Sequence, residues 1–188
     1  MQITWRDLMT ATHGMFFGGL FLMAVFGMVV LLAQSLGTRG ELQRTQAALR
    51  WERVYLVVIV LLGWAAVLSG AYIVYPWYRA LPPPGADLAG YPQRLLLSDP
   101  RTAGWHTLGM EWKEHVAWFA PMLITAAAWI LIRFQSAGQE MRRVRITVAA
   151  FALTALLATA IAAGLGALID KNAPVSGGSI IHLSRGAE

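Results

Sequence analysis

Four long apolar runs alternate with polar segments along this chain of 188 residues. The runs cover 8–36, 54–75, 115–132 and 146–169, and each is close to the roughly 20 apolar residues that a helix needs to cross a bilayer. The polar segments between them are too short to build a hydrophobic core of their own. The pattern predicts an all-α integral membrane protein, a bundle of four transmembrane helices in one membrane domain over 1–188.

The longest polar segment, 76–114, and the tail, 170–188, lie at the same end of the predicted bundle. Prolines in YPWYRALPPPG end the second span, because proline lacks a backbone donor and clashes with the preceding turn. Ser98-Asp99-Pro100 then offers an N-cap and a first-turn proline. We therefore expect an interfacial helix over about 99–114 that leads into the third span. The tail has no evident partner within the chain, so we expect it to dock on another subunit.

The net charge of +5 is unevenly distributed. Eight arginines lie between the first and second spans and between the third and fourth: Arg39, Arg44, Arg50, Arg53, Arg133, Arg142, Arg143 and Arg145. Short arginine-rich loops stay in the cytoplasm. Both termini and segment 76–114 should therefore face outward from a bacterial inner membrane. The basicity thus indicates orientation, and we expect no nucleic-acid partner.

The four histidines all fall on the predicted outer half: His13, His106, His115 and His182. His13 follows the last charged residue, Asp7, by six positions, which places it about 9 Å inside the first helix. An ionisable side chain within a span indicates a functional site. The alternative is a neutral imidazole that is hydrogen-bonded to a neighbouring helix. The absence of cysteine excludes iron–sulfur clusters and covalent haem attachment.

The stretch GWHTLGMEWKEHVAW does not predict a two-histidine metal clamp. His106 and His115 are nine residues apart, or about two and a half helical turns, and so point to opposite faces of a straight helix. His13 and His115, on different helices at matching depth, are better placed to ligate one b-type haem from opposite sides. His106 is the alternative ligand if the helix bends, whereas His182 requires the tail to fold back.

Cations on the same side would neutralise the haem propionates, and we assign this role to Arg79 and Lys113. With its helix number, its size and histidines at the outer ends of two spans, the chain resembles the four-helix b-type cytochrome subunits that anchor hydrogenases and dehydrogenases. Many of those subunits carry histidines at both membrane faces, whereas this chain has enough for one well-ligated haem. The resemblance implies electron transfer between a haem or quinone and an outer-side cytochrome or dehydrogenase.

Small residues on the spans favour close packing against other helices. Gly14 and Gly18 share one face of the first span, and Gly63 and Gly70 share one face of the second. These faces fit a second interpretation, a cofactor-free accessory or anchoring subunit. Under the haem-binding interpretation the chain belongs to a larger respiratory or photosynthetic complex, and under the second interpretation it belongs to a membrane protein complex. We expect no turnover in the chain alone and, at most, a non-catalytic role within an oxidoreductase.

Overall fold

The computed structural model of the protein describes residues 2–37, 45–134 and 141–182. In this part of the chain, four helices are long and apolar enough to cross a membrane, as predicted: Trp5–Leu36, Gln46–Tyr78, Pro100–Arg133 and Arg142–Asn172. We call them the first to fourth helices. The first and third each pack against the second and the fourth, so the bundle is a ring of antiparallel neighbours. Membrane insertion and the sides of the termini stay predictions.

Three of these helices combine α-helical and π-helical segments. The first helix contains Trp5–Ala11, the π-helical Thr12–Gly19, and Leu20–Gly37. The second contains Gln46–Ser69, the π-helical Gly70–Val74, and Tyr75–Tyr78. The third contains Pro100–Gly104, the π-helical Trp105–Met110, Glu111–Val116 and Phe119–Arg133. The fourth is α-helical over Met141–Asn172, and two short helices lie between the second and third, Leu88–Gly90 and Pro92–Ser98.

The helices extend beyond the apolar runs because polar residues cap their ends. The Thr45 hydroxyl accepts a hydrogen bond from the Ala48 amide at 3.2 Å, which starts the second helix well before residue 54. Asp99 caps the third helix through the Arg101 amide at 2.9 Å. Hydrogen bonds from Arg101 also hold the pKa of the Asp99 carboxyl below its usual range. Residues 100–133 together are long and apolar enough to cross a membrane, and a turn at Ala117 and Trp118 separates Glu111–Val116 from Phe119–Arg133. The interfacial helix expected over about 99–114 stays a prediction.

The main hydrophobic core extends from the middle of the bundle towards the end that carries the arginines, which we call the arginine-rich end. Val25, Ile59, Ile124 and Val148 are fully buried there, one from each helix. The first and second helices also interlock at Tyr55, whose hydroxyl donates to the Ala24 carbonyl at 2.7 Å. The predicted orientation rests partly on Arg39 and Arg44, and these two arginines lie outside the described residues.

The opposite end carries a folded cap, which is formed by the strands Gln2–Thr4 and Ile180–His182 and by segment 79–99. We call it the capped end. Strands Gln2–Thr4 and Ile180–His182 pair there in antiparallel register, with Ile3 opposite Ile181. The prediction that the tail lacks a partner within the chain is therefore wrong for 180–182. A second hydrophobic cluster, formed by Tyr78, Leu96, Met110, Ile169, Ala173 and Val175, lies at this end. The cap thus ties both ends of the described chain to the helices.

The small-residue faces pack within the chain to different degrees. A Cβ at Gly63 would lie 2.7 Å from Cε2 of Phe21, so this glycine is required for the first helix to approach the second. By contrast, a Cβ at Gly14 would meet nothing within 4 Å. Close packing therefore explains the glycines of the second helix better than Gly14.

Candidate functional site

The three π-helical segments all lie in the half of the bundle nearer the capped end. They contain or adjoin His13, the glycine against which it packs, and His106. A π-helical turn accommodates an extra residue and thereby changes the face on which following side chains lie. Such turns are rare and are frequent at functional sites. We therefore treat the capped half as the candidate site.

His13 belongs to the first helix, and its side chain lies between the first and second helices. Its Nδ1 is 2.8 Å from the carbonyl oxygen of Ala66 and 3.2 Å from the hydroxyl of Ser69. Because a carbonyl only accepts, Nδ1 carries the proton and donates it, and Nε2 is the acceptor nitrogen of the neutral ring. The ring lies flush against the second helix, since a Cβ at Gly70 would be 2.6 Å from its Cε1. The imidazole is thus hydrogen-bonded to the neighbouring helix through Nδ1, whereas its Nε2 has no hydrogen-bond partner among the described residues.

Lys113 points from the third helix towards the fourth. Its Nζ lies 3.0 Å from the position that a Cβ would take at Gly166. No hydrogen bond or ion pair joins this amine to another residue in the described part of the chain. The sequence interpretation placed Lys113 at the mouth of a span, whereas the structure turns it inward.

His106 is held by two polar side chains. Its Nδ1 lies 2.8 Å from the Tyr78 hydroxyl, and its Nε2 lies 3.2 Å from Nε2 of Gln93. All three side chains are buried. Because both imidazole nitrogens have protein partners, His106 is a structural part of the cap in this arrangement. Sequence reasoning did not identify Gln93, since a lone glutamine in a loop gives no signal of its own.

His115 lies on an exposed face of the third helix. Its Nδ1 is 2.9 Å from the Glu111 carbonyl one turn earlier, and 72% of its side chain is exposed. Two residues separate it from Lys113, which corresponds to about 200° around the helix. Since Lys113 points towards the fourth helix, His115 lies on nearly the opposite face of the third helix. His106 is buried and His115 is exposed, and the π-helical Trp105–Met110 lies at the start of the stretch between them.

Arg79 follows the second helix, and its side chain forms a hydrogen bond and an ion pair with other residues of this chain. Its guanidinium donates to the Tyr75 hydroxyl at 2.7 Å and lies 3.7 Å from Oε1 of Glu114. It also lies over the Tyr75 ring, 5.4 Å from the centroid. These contacts link the second and third helices. Of the two predicted propionate partners, Arg79 therefore already neutralises a carboxylate of this chain.

The predicted haem ligands satisfy part of what a haem requires. Both His13 and His115 donate Nδ1 to a main-chain carbonyl, as ligating histidines commonly do, which leaves Nε2 for iron. However, Nε2 of His13 lies 3.1 Å from the Cβ position of Gly70, against a helix backbone. His115 points to another face. The two imidazoles therefore do not fit one haem in this arrangement, and the described residues contain no group of three or more metal-ligating side chains.

The polar interior of the capped half does not continue through the bundle. Among the described residues, the buried polar side chains are Gln93, His106 and Thr159. Thr159 donates its hydroxyl to the Ala155 carbonyl at 2.7 Å within its own helix. Beyond it, the main core is aliphatic and aromatic up to the arginine-rich end. Among the described residues, the buried polar side chains thus do not form a continuous set across the bundle.

No protein-family model, curated protein or solved structure matches this chain. Its class therefore rests on the fold and the site. The fold defines a multi-pass helical protein with four candidate spans and a cap at one end. The site is a set of histidine, lysine, tyrosine and arginine side chains confined to the capped half.

Proposed function

We propose that this chain is an accessory subunit of a larger membrane complex, and that its capped end anchors a partner protein. The observation that carries the proposal is the folded cap. A bundle that only crosses a membrane needs short connections, yet here a sheet joins both ends of the described chain. Tyr78, Gln93 and His106 form a buried network beside it, and such a network specifies one arrangement of its surroundings. The cap is therefore a fixed surface.

The surface of the cap has apolar side chains that lipid does not explain. Leu81 is 70% exposed and Leu97 is 38% exposed. Both lie in segment 79–99, outside the four helices, where apolar side chains face water unless another protein covers them. The partner should therefore present a complementary apolar surface. On the resemblance stated above, an outer-side cytochrome or dehydrogenase of a respiratory or photosynthetic complex is the partner class that we propose.

Site-specific photo-crosslinking tests this proposal. A photoreactive phenylalanine analogue is placed at Leu81 and, as a matched control, at Leu61, which is 63% exposed on the second helix. After irradiation of native membranes, the probe at Leu81 should yield a crosslink to one protein of defined mass. The control should yield lipid adducts only. If both positions give the same pattern, or if Leu81 crosslinks to no protein, the anchoring proposal fails.

One b-type haem remains the second candidate, and specific observations favour it. Nε2 of His13 is hydrogen-bonded to no described residue. Lys113 has no ion pair among these residues, and the buried indole nitrogen of Trp112 has no hydrogen-bond partner. A cofactor with acceptor groups would satisfy the donors of Lys113 and Trp112, and the unprotonated Nε2 of His13 would be available to iron. Ligation by both His13 and His115 would, however, require the exposed side chain of His115 to turn inward towards the first helix.

A visible spectrum of the dithionite-reduced complex separates the two candidates. A haem that His13 and His115 hold would give sharp reduced bands. His13→Ala and His115→Ala would each abolish them, and His182→Ala would preserve them. The anchoring proposal predicts that no band depends on His13 or His115.

A further inference from the structure

A cavity of about 100 Å³, partly open to the surroundings, lies at the arginine-rich end of the bundle. Its deeper walls are apolar and include Met28, Leu32 and Leu56 from the first and second helices. The polar lining residues Ser35, Glu52 and Arg145 lie nearer the helix ends. The cavity is thus amphipathic along the bundle axis, and it is far from the capped half.

Arg145 is the cationic group of this cavity. It is half-buried, and its guanidinium makes one hydrogen bond within the described chain, to the Ser35 carbonyl at the long distance of 3.4 Å. A guanidinium has five N–H donors, and it binds phosphate through two parallel hydrogen bonds. Glu52 also lines the cavity, and it has an interaction partner of its own. Arg145 therefore retains donors for an anionic ligand.

The surroundings add positive charge. The described residues at this end include six arginines, against the single acid Glu52: Arg50, Arg53, Arg133, Arg142, Arg143 and Arg145. Basic residues near a membrane surface attract anionic lipids. The charge excess favours an anionic headgroup over a zwitterionic one.

The apolar walls indicate what kind of molecule the anionic headgroup belongs to. Leu31 lines the cavity and is also 58% exposed, so the cavity opens sideways onto the surface that would face acyl chains. A free phosphate ion would leave the exposed side chain of Leu31 in water, whereas an acyl chain would cover it. We propose that this cavity binds one anionic phospholipid, with its phosphate on Arg145 and an acyl chain that leaves the cavity over Leu31. The inference needs the bundle to lie in a membrane and is independent of the capped end.

Native mass spectrometry of the detergent-purified protein tests this inference. Phosphatidylglycerol and phosphatidylcholine with identical acyl chains are added separately, and bound copies are counted. Wild type should bind one phosphatidylglycerol tightly and phosphatidylcholine at least about tenfold more weakly. Arg145→Gln should reduce phosphatidylglycerol binding by about tenfold or more, the usual effect of losing a charge-assisted hydrogen bond. Arg145→Lys should fall between the two, because it keeps the charge and loses the paired donors.

Arg142→Gln is the matched control, since it removes an exposed arginine from the same helix that does not line the cavity. It should bind phosphatidylglycerol as wild type does. Circular dichroism verifies that every variant is folded. Equal loss in Arg142→Gln and Arg145→Gln would show diffuse attraction and overturn the proposal. Equal binding of the two lipids by wild type, or equal binding of inorganic phosphate alone, would also overturn it.

Discussion

Gly70→Ala is the substitution that most sharply tests the packing of His13. The added Cβ would lie 2.6 Å from Cε1, 3.1 Å from Nε2 and 3.2 Å from Nδ1 of His13. To restore ordinary contact at 3.4 Å, the ring must retreat by about 0.8 Å. That movement would lengthen the 2.8 Å bond from Nδ1 to the Ala66 carbonyl beyond hydrogen-bond range. Overpacking costs about 1–3 kcal/mol, and the lost hydrogen bond adds about 1 kcal/mol.

We therefore expect Gly70→Ala to lower the free energy of unfolding in detergent by about 2–4 kcal/mol. Gly164→Ala is the control, because a Cβ there would meet nothing within 4 Å. It should be neutral or stabilise the protein by up to about 1 kcal/mol through helix propensity. Combining Gly70→Ala with His13→Ala should remove the clash, so the double-mutant cycle should show favourable coupling of about 2 kcal/mol. If Gly70→Ala behaves like the control, His13 does not pack against Gly70 and the description of this site is wrong.

Two further substitutions test other contacts by the same unfolding measurement. Gly63→Ala should cost about 1–3 kcal/mol, because its Cβ would lie 2.7 Å from Phe21; Phe21→Leu should restore most of the loss, and its failure to do so would contradict the packing. Tyr78→Phe should cost about 1–3 kcal/mol, because the buried Nδ1 of His106 loses its partner at 2.8 Å. A change below about 0.5 kcal/mol would show that water replaces the hydroxyl.

The apolar runs predict the helices because burial in lipid and in the bundle core demands the same long hydrophobic segments. They do not predict where each helix ends. Thr45 and Asp99 set the starts of the second and third helices through single side-chain hydrogen bonds, which hydropathy does not register. The π-helical segments also escape prediction, because one extra residue in a turn leaves no trace in composition.

The candidate site was only partly predictable for a different reason. The position of His13 within the first helix follows from the apolar run that contains it, but the orientations of His106 and His115 do not follow from straight-helix periodicity, because the π-helical Trp105–Met110 changes the face of the residues after it. The partners of the histidines are not predictable either, because Ala66, Tyr78 and Gln93 come from other elements and meet the histidines only after the helices have packed. The pairing of 2–4 with 180–182 could likewise not be predicted from the sequence, because a strand of three residues is too short to show which distant segment it pairs with.

The central claim is that four helices cross a membrane with the capped and arginine-rich ends on opposite sides. Because the chain contains no cysteine, single cysteines can report on each end. Ala89→Cys lies in the exposed cap, and Ala47→Cys lies at the exposed start of the second helix. In intact cells, an impermeant maleimide should label Ala89→Cys and reach Ala47→Cys only after permeabilisation. Labelling of both positions in intact cells, or of Ala47→Cys alone, would contradict the account.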